Sequence, residues 1–182
     1  FADLPRIVRL ARPFSRIPGL GRRLREIAMP LVSRHASPKY AGLLEYGGTL
    51  GGAYLLRRGL YMPWELPRLL DPDIAQLGLR DLQTVDRLNR TALSSGLKAH
   101  SPGLQISSLE MSWYMRHQLL RDTDWASMAQ SLEVRVPFLD LPLLQAIAPW
   151  FAAQPGITKS EIAGVISPQI PPALLKKPKL DG

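Results

Sequence analysis

Between Ser107 and Leu120 the chain has almost no polar helix face. Leu109, Met111, Trp113, Tyr114, Met115, Leu119 and Leu120 fall on nearly all sides of a 3.6-residue period. A helix that is apolar all round has to be surrounded, so this segment predicts a central helix with other elements packed about it. Ser107 and Glu110 have the spacing of a capping box, which places its start at Ser107. Residues 97–106 are expected to be a loop.

The rest of the chain reads as shorter helices. Pro13, Pro18 and Gly19 divide the start into helices around 4–12 and 21–34. Ser37-Pro38 opens another, with Leu43, Leu44, Leu50, Tyr54 and Leu55 at three- and four-residue steps. Glycines at 42, 47, 48, 51 and 52 lower helix propensity by up to about 1 kcal/mol each. They are read as sites of close helix packing, because the strand–loop–helix context and Lys-Ser/Thr pair of a phosphate loop are missing. Residues 61–72 carry Pro63, Pro67 and Pro72 and form a connection with at most a turn of helix. Residues 79–95 predict an amphipathic helix, ended by Ser94-Ser95-Gly96. Asp124 is expected to cap a short helix through Met128, and Asp140 one running to about Trp150. A short helix near 158–166 and a basic, Pro-containing tail follow. Residues 132–138 alternate as a strand would, but they are few and contain Pro137. The chain is therefore expected to be mainly α, without repeats.

Composition narrows the function classes. At 46% hydrophobic and 21% charged, the 182 residues suit one globular domain or a large part of one. The absence of Cys excludes disulfides and thiolate metal sites. His35, His100 and His117 lack metal-ligand spacing, so no metal site is expected. No apolar run reaches membrane-spanning length and no signal peptide is visible; a soluble, cytoplasmic protein with no membrane partner is expected. The net charge of +8 is concentrated early: Arg6, Arg9, Arg12, Arg16, Arg22, Arg23, Arg25, Arg34 and Lys39 face only Asp3 and Glu26 in residues 1–40. Such a stretch can attract nucleic acid, acidic lipid or a polyanionic substrate. The plainer reading, preferred here, is a solvated helix face, since no interleaved aromatics make a stacking platform. A basic nucleic-acid-binding module and a non-catalytic helical interaction domain remain as alternative classes.

The informative chemistry lies at residues 116–140. The run Asp124-x-x-Ser127-Met128-Ala129-x-Ser131-Leu132-Glu133-Val134-Arg135-Val136-Pro137-Phe138-Leu139-Asp140 closely resembles the C-terminal region of the glutamine-hydrolysing asparagine synthetase family. A weaker resemblance lies at Leu174-Leu175-Lys176-Lys177-Pro178-Lys179. Residues 1–105 resemble the variable helical part of that family in general character, and 106–182 are the motif-bearing part. The resemblance implies a helical portion of an α/β, pyrophosphate-loop synthetase domain. The parent enzyme would use ATP and magnesium to adenylate a carboxylate, usually aspartate, and ammonia from glutamine would displace AMP. The family's Ser-Gly-Gly-x-Asp-Ser nucleotide loop, its Gly-x-Gly-x-Asp-Glu motif and its glutaminase Cys do not occur in this sequence. The sheet and nucleotide loop are thus expected to lie outside these residues, as is the glutaminase domain, with both ends of the chain cut from a longer one. The 182 residues alone are expected to be inactive and to bind no cofactor. Apolar helix faces left uncovered would favour self-association into a homo-oligomer.

The resemblance assigns Lys179 to the family's catalytic lysine, where a cation stabilises charge developing on pyrophosphate and on tetrahedral oxyanions. A solvent-exposed tail lysine is the plain alternative. Lys159 is a weaker phosphate candidate. Glu133 and Arg135 flank Val134 in an extended stretch and are expected to point the same way. Together with Asp124 they either line or brace the nucleotide and carboxylate pocket, or form an internal ion-pair network at the helix–loop–helix corner. Asp140 reads as a helix cap. Trp125 stands where the family often has a basic residue, and Gln130 where it often has His; the acceptor carboxylate therefore stays open.

Overall fold

Pro5 sits in the first turn of α1 (Leu4–Ser15), where its missing N–H costs nothing and its fixed φ suits a helix. The computed structural model describes residues 3–94 and 102–154, with Ile157, Glu161, Ile162 and Gly164. Every regular element among these residues is helical. The chain falls into two compact units, one ending at Val134 and the other starting at Arg135.

In the first unit, Gly19 at φ 76° turns the chain from α1 into α2 (Leu20–His35). A 3-10 turn (Pro38–Gly42) leads into the short α3 (Leu43–Tyr46). Thr49 then caps α4 (Leu50–Arg58), its hydroxyl accepting a hydrogen bond from the Gly52 amide at 3.1 Å. The connection through 61–72 holds a single 3-10 turn (Leu66–Arg68), as expected.

The centre of the unit is α4, in which Gly51, Gly52, Ala53, Tyr54 and Leu56 are all buried. On one side Ala53 packs with Leu4 of α1 and with Ile106; on another Tyr54 packs with Leu88, Ala92 and Leu109, and Leu50 touches both groups. Small residues allow this. A Cβ on Gly51 would lie 2.6 Å from Asn89 Oδ1 and 2.9 Å from Leu88 Cβ. The Gly51 amide donates to that same Asn89 oxygen at 2.8 Å. The glycines therefore serve close packing, as their spacing predicts. Each fully buried leucine here is worth about 1.5–3 kcal/mol.

Several expectations need correction. The helix expected over 79–95 is two: α5 (Pro72–Leu82) and α6 (Thr84–Leu93), parted by Gln83 at φ 44°. Asp71 starts α5 early by accepting from the amides of Asp73 and Ile74. The helix expected from Ser107 begins at Pro102, with α7 (Pro102–Leu109) running into a π-helical segment (Glu110–Leu119) and then α8 (Leu120–Met128). Ser107 is thus inside a helix and caps nothing, and the Glu110 carboxylate is taken by Arg58 instead. Asp124 likewise lies within α8. Nor is this helix the central one. Ile106 and Leu109 are buried, but no residue of 110–119 is, and Met111 and Leu119 are exposed. Close approach by neighbours depends on small side chains, which α4 has and 109–120 lacks.

In the second unit a 3-10 turn (Pro137–Leu139) precedes α9 (Leu141–Ala153). Asp140 caps α9 as predicted, accepting from the Leu143 amide at 3.1 Å. The helix expected near 158–166 is described only at Glu161, Ile162 and Gly164, which are helical. The basic tail lies outside the described residues.

Candidate functional site

A cleft of about 650 Å³ opens in the first unit where the end of α4 meets the start of α6 and the π-helical segment. The π turn is wider than an α turn: the Leu120 amide bonds back to Met115 O, five residues earlier. Such segments are rare and recur at functional sites. Here the segment and the start of α8 bring Trp113, Tyr114, His117, Arg121 and Asp122 to the cleft, which Lys39 and Arg58 also line.

Arg58 is held from two sides. Its Nε donates to Glu110 Oε1 at 2.9 Å and a terminal nitrogen donates to Oε2, a two-point pairing. Its guanidinium lies 3.6 Å from the centroid of the Tyr114 ring. The Glu110 hydrogen bond raises the Arg58 pKa above its ordinary value. Beside it, Tyr54 donates to Leu109 O at 3.4 Å. Burial, then the Glu110 carboxylate, pushes the Tyr54 phenol well above its usual range. Trp113 is fixed by donating from Nε1 to Thr91 Oγ1 at 3.0 Å.

The other two cations are less committed. Lys39 Nζ donates to Arg57 O and Gly59 O, each at 3.3 Å, at the carbonyl end of α4. Among the described residues no carboxylate pairs with it. Arg121 lies 3.6 Å from Asp122 Oδ1 and over the Trp125 ring at 5.3 Å; both partners of that ion pair are exposed, so it is weak. The cleft lining thus carries more positive than negative charge, with aromatic rings among it. This suits an anion. Among the described residues no three His, Asp or Glu side chains converge on one point.

The residues singled out by sequence are distributed differently. Asp124 is exposed on α8, one turn past Arg121, and does not line the cleft. Beyond it α8 closes with Ser131 in the left-handed region at φ 57° and the Leu132 amide bonded to Ser127 O at 3.0 Å. The chain leaves this cap in non-helical form at Glu133, which is exposed at the end of the first unit. Arg135 begins the second unit, where it edges an open cleft of about 540 Å³ with Asp140, Pro137 and Leu143. Lys179 and Lys159 lie outside the described residues. Around the motif Trp125, Met128, Leu132 and Val134 are exposed. Sequence reasoning named Lys39 only within the early basic stretch and did not single out Arg58 or Arg121. Arg121 stands inside the 116–140 run, four residues after His117, and that spacing was the available signal; no local signal joins Arg58 to Glu110.

Residues 13–181 match the family model for asparagine synthase. The chain belongs to the asparagine synthase family. It is therefore a member of a family of ATP-dependent, amide-forming synthetases, which are ligase-type enzymes. The asparagine synthase match takes in the cleft, the 116–140 run and Lys179. Its helical content agrees with the helical part of such a domain. No curated protein and no solved structure matches the chain significantly.

Proposed function

We propose that this chain is the helical part of a cytoplasmic, glutamine-dependent synthetase that makes an amide from a carboxylate, with aspartate as the acceptor. The observation that carries the reading is the asparagine synthase match across 13–181, which includes the motif ending at Asp140 and the tail lysine. In the reaction so proposed, an acceptor carboxylate oxygen attacks the α-phosphorus of ATP and pyrophosphate leaves. Ammonia released from glutamine then attacks the acyl carbon, and AMP leaves.

Negative charge accumulates on phosphate oxygens and then on the tetrahedral oxyanion, and a fixed cation lowers both barriers. Lys179 is assigned that task, with Asp124, Glu133 and Arg135 lining or bracing the pocket. The two cations Lys39 and Arg121 in the cleft lining support an anionic ligand there. Nucleotide and magnesium are assigned to the pyrophosphate loop, which this sequence does not contain. The 182 residues alone are accordingly inactive.

The test uses the intact protein with ATP, magnesium, glutamine and candidate carboxylates, following AMP and amide together. Lys179→Ala should lower amide formation by orders of magnitude and leave glutamine hydrolysis intact; undiminished synthesis removes Lys179 from the site. Calorimetry on the 182 residues should detect no ATP binding. Micromolar affinity there would contradict the assignment of the nucleotide site elsewhere.

A further inference from the structure

From Asp124 to Glu133 every residue is exposed except Ser127, which is half-buried. Packing among the described residues therefore does little to shape this stretch. Hydrogen bonds about Ser127 do it instead. Its hydroxyl donates to Asp124 O at 3.2 Å. Its carbonyl accepts from the Gln130 amide at 2.9 Å and the Leu132 amide at 3.0 Å, and the Ser131 amide donates to Met128 O at 2.9 Å. The Leu132 and Ser131 bonds are the pair that closes a helix around one left-handed residue.

That residue is Ser131, at φ 57°. Glycine is the usual occupant of such a position, because a Cβ in the left-handed region crowds the backbone. Asn is the next choice, since its short amide tolerates the region. Ser131 is neither, and among the described residues Gln83 is the one other non-glycine at positive φ. Backbone strain of this kind gathers at functional sites. Here it falls inside the family run, two residues before Glu133. An unbroken helix would carry Glu133 about 14 Å along its axis from Asp124 and onto the opposite face. The cap instead returns Leu132 to Ser127, in the turn that follows Asp124.

We infer that Ser131 is a positioning residue for the amide-forming site: its left-handed turn sets where Glu133 stands relative to Asp124. This rests on the assignment of those two carboxylates to the pocket. The role belongs to the backbone angle and not to the hydroxyl.

The experiment is a substitution series at Ser131 in the intact protein, supplied with ATP, magnesium, glutamine and aspartate. Amide formation and glutamine hydrolysis are followed in parallel. Ser131→Gly and Ser131→Asn lose the hydroxyl and accept the left-handed region. Ser131→Thr keeps the hydroxyl, and both it and Ser131→Val add a β-branch that the region disfavours. Ser131 is exposed, so none of the four disturbs packing among the described residues, and a cooperative melt checks that each folds. Thr and Val should lower kcat for amide formation by at least about tenfold, as displacing a pocket group does. Gly and Asn should keep that rate, and glutamine hydrolysis should be the same in all four. Folded Thr and Val variants that make amide at the natural rate overturn the inference. So does loss of amide formation in the Gly and Asn variants, which would put the hydroxyl and not the turn in the site. Should a β-branched variant not fold, the Gly and Asn rates decide the matter. An intact protein that forms no amide from any carboxylate overturns the proposed reaction and this inference with it; equal rates across the series overturn the inference alone.

Discussion

Arg58 and Glu110 are 52 residues apart in sequence and meet in a two-point ion pair, with Arg58 Nε 2.9 Å from Glu110 Oε1. The pair joins the end of α4 to the first residue of the π-helical segment and so fixes one edge of the cleft. The aromatic ring of Tyr114 backs it. Replacing Glu110 by Ala leaves the exposed Arg58 guanidinium without its carboxylate. Urea unfolding should show a loss of about 1 kcal/mol or less, and a double-mutant cycle with Arg58→Ala should recover part of it. Strict additivity would mean that the two side chains do not cooperate.

Gly51 and Gly78 make a paired test of the packing. Gly51→Ala places a methyl group 2.7 Å from the Asn89 main-chain nitrogen and forces α4 away from α6. A destabilisation of about 1–3 kcal/mol is expected from overpacking. At Gly78 in α5, a methyl group would find nothing within 4 Å. Gly78→Ala should stabilise by about 0.5–1 kcal/mol through helix propensity alone. Thermal melts of the two variants should shift in opposite directions.

Asp140 ends the family motif and also caps α9. If capping is its whole role, Asp140→Asn keeps both stability and activity, while Asp140→Ala costs about 1 kcal/mol of stability. Amide formation lost in the Asn variant with the melt unchanged would give the carboxylate a chemical role as well.

Stability should fall in alkali. Burial, and next the Glu45 carboxylate, push the Tyr46 phenol from 10.0 up to about 12. A raised pKa means that the folded state holds its proton more tightly than the unfolded one. The stabilisation from the neutral phenol is complete below pH 10 and is lost as pH rises towards 12. Tyr54 is shifted in the same direction and adds to the slope. Chemical unfolding between pH 10 and about 12 should show the decline, and Tyr46→Phe should make it shallower. An unchanged slope in that variant would mean Tyr46 titrates alike in both states.

Features set within one helical turn could be read along the chain. Asp140 caps α9 because its carboxylate reaches the Leu143 amide within the same turn, which needs only local geometry. Pro18 and Gly19 marked the α1–α2 turn for the same reason, whereas Pro13, read as the end of the first helix, lies inside α1. The capping box at Ser107 and Glu110 was misleading, because Pro102 starts the helix earlier and a distant arginine competes for the carboxylate. The cleft was not legible at all, since Lys39, Arg58 and Arg121 come from three separate stretches.

By itself the sequence determined the helical class, the glycine packing, the cap of α9 and, through the run ending at Asp140, the family. Tertiary structure decided which helix is central, where Glu110 spends its charge, and which cations share a cleft. Periodicity reports which faces of a helix are apolar but not which neighbour covers them. That choice depends on how closely backbones can approach, and the small residues of α4 put it, and not the bulkier 109–120 segment, in the middle.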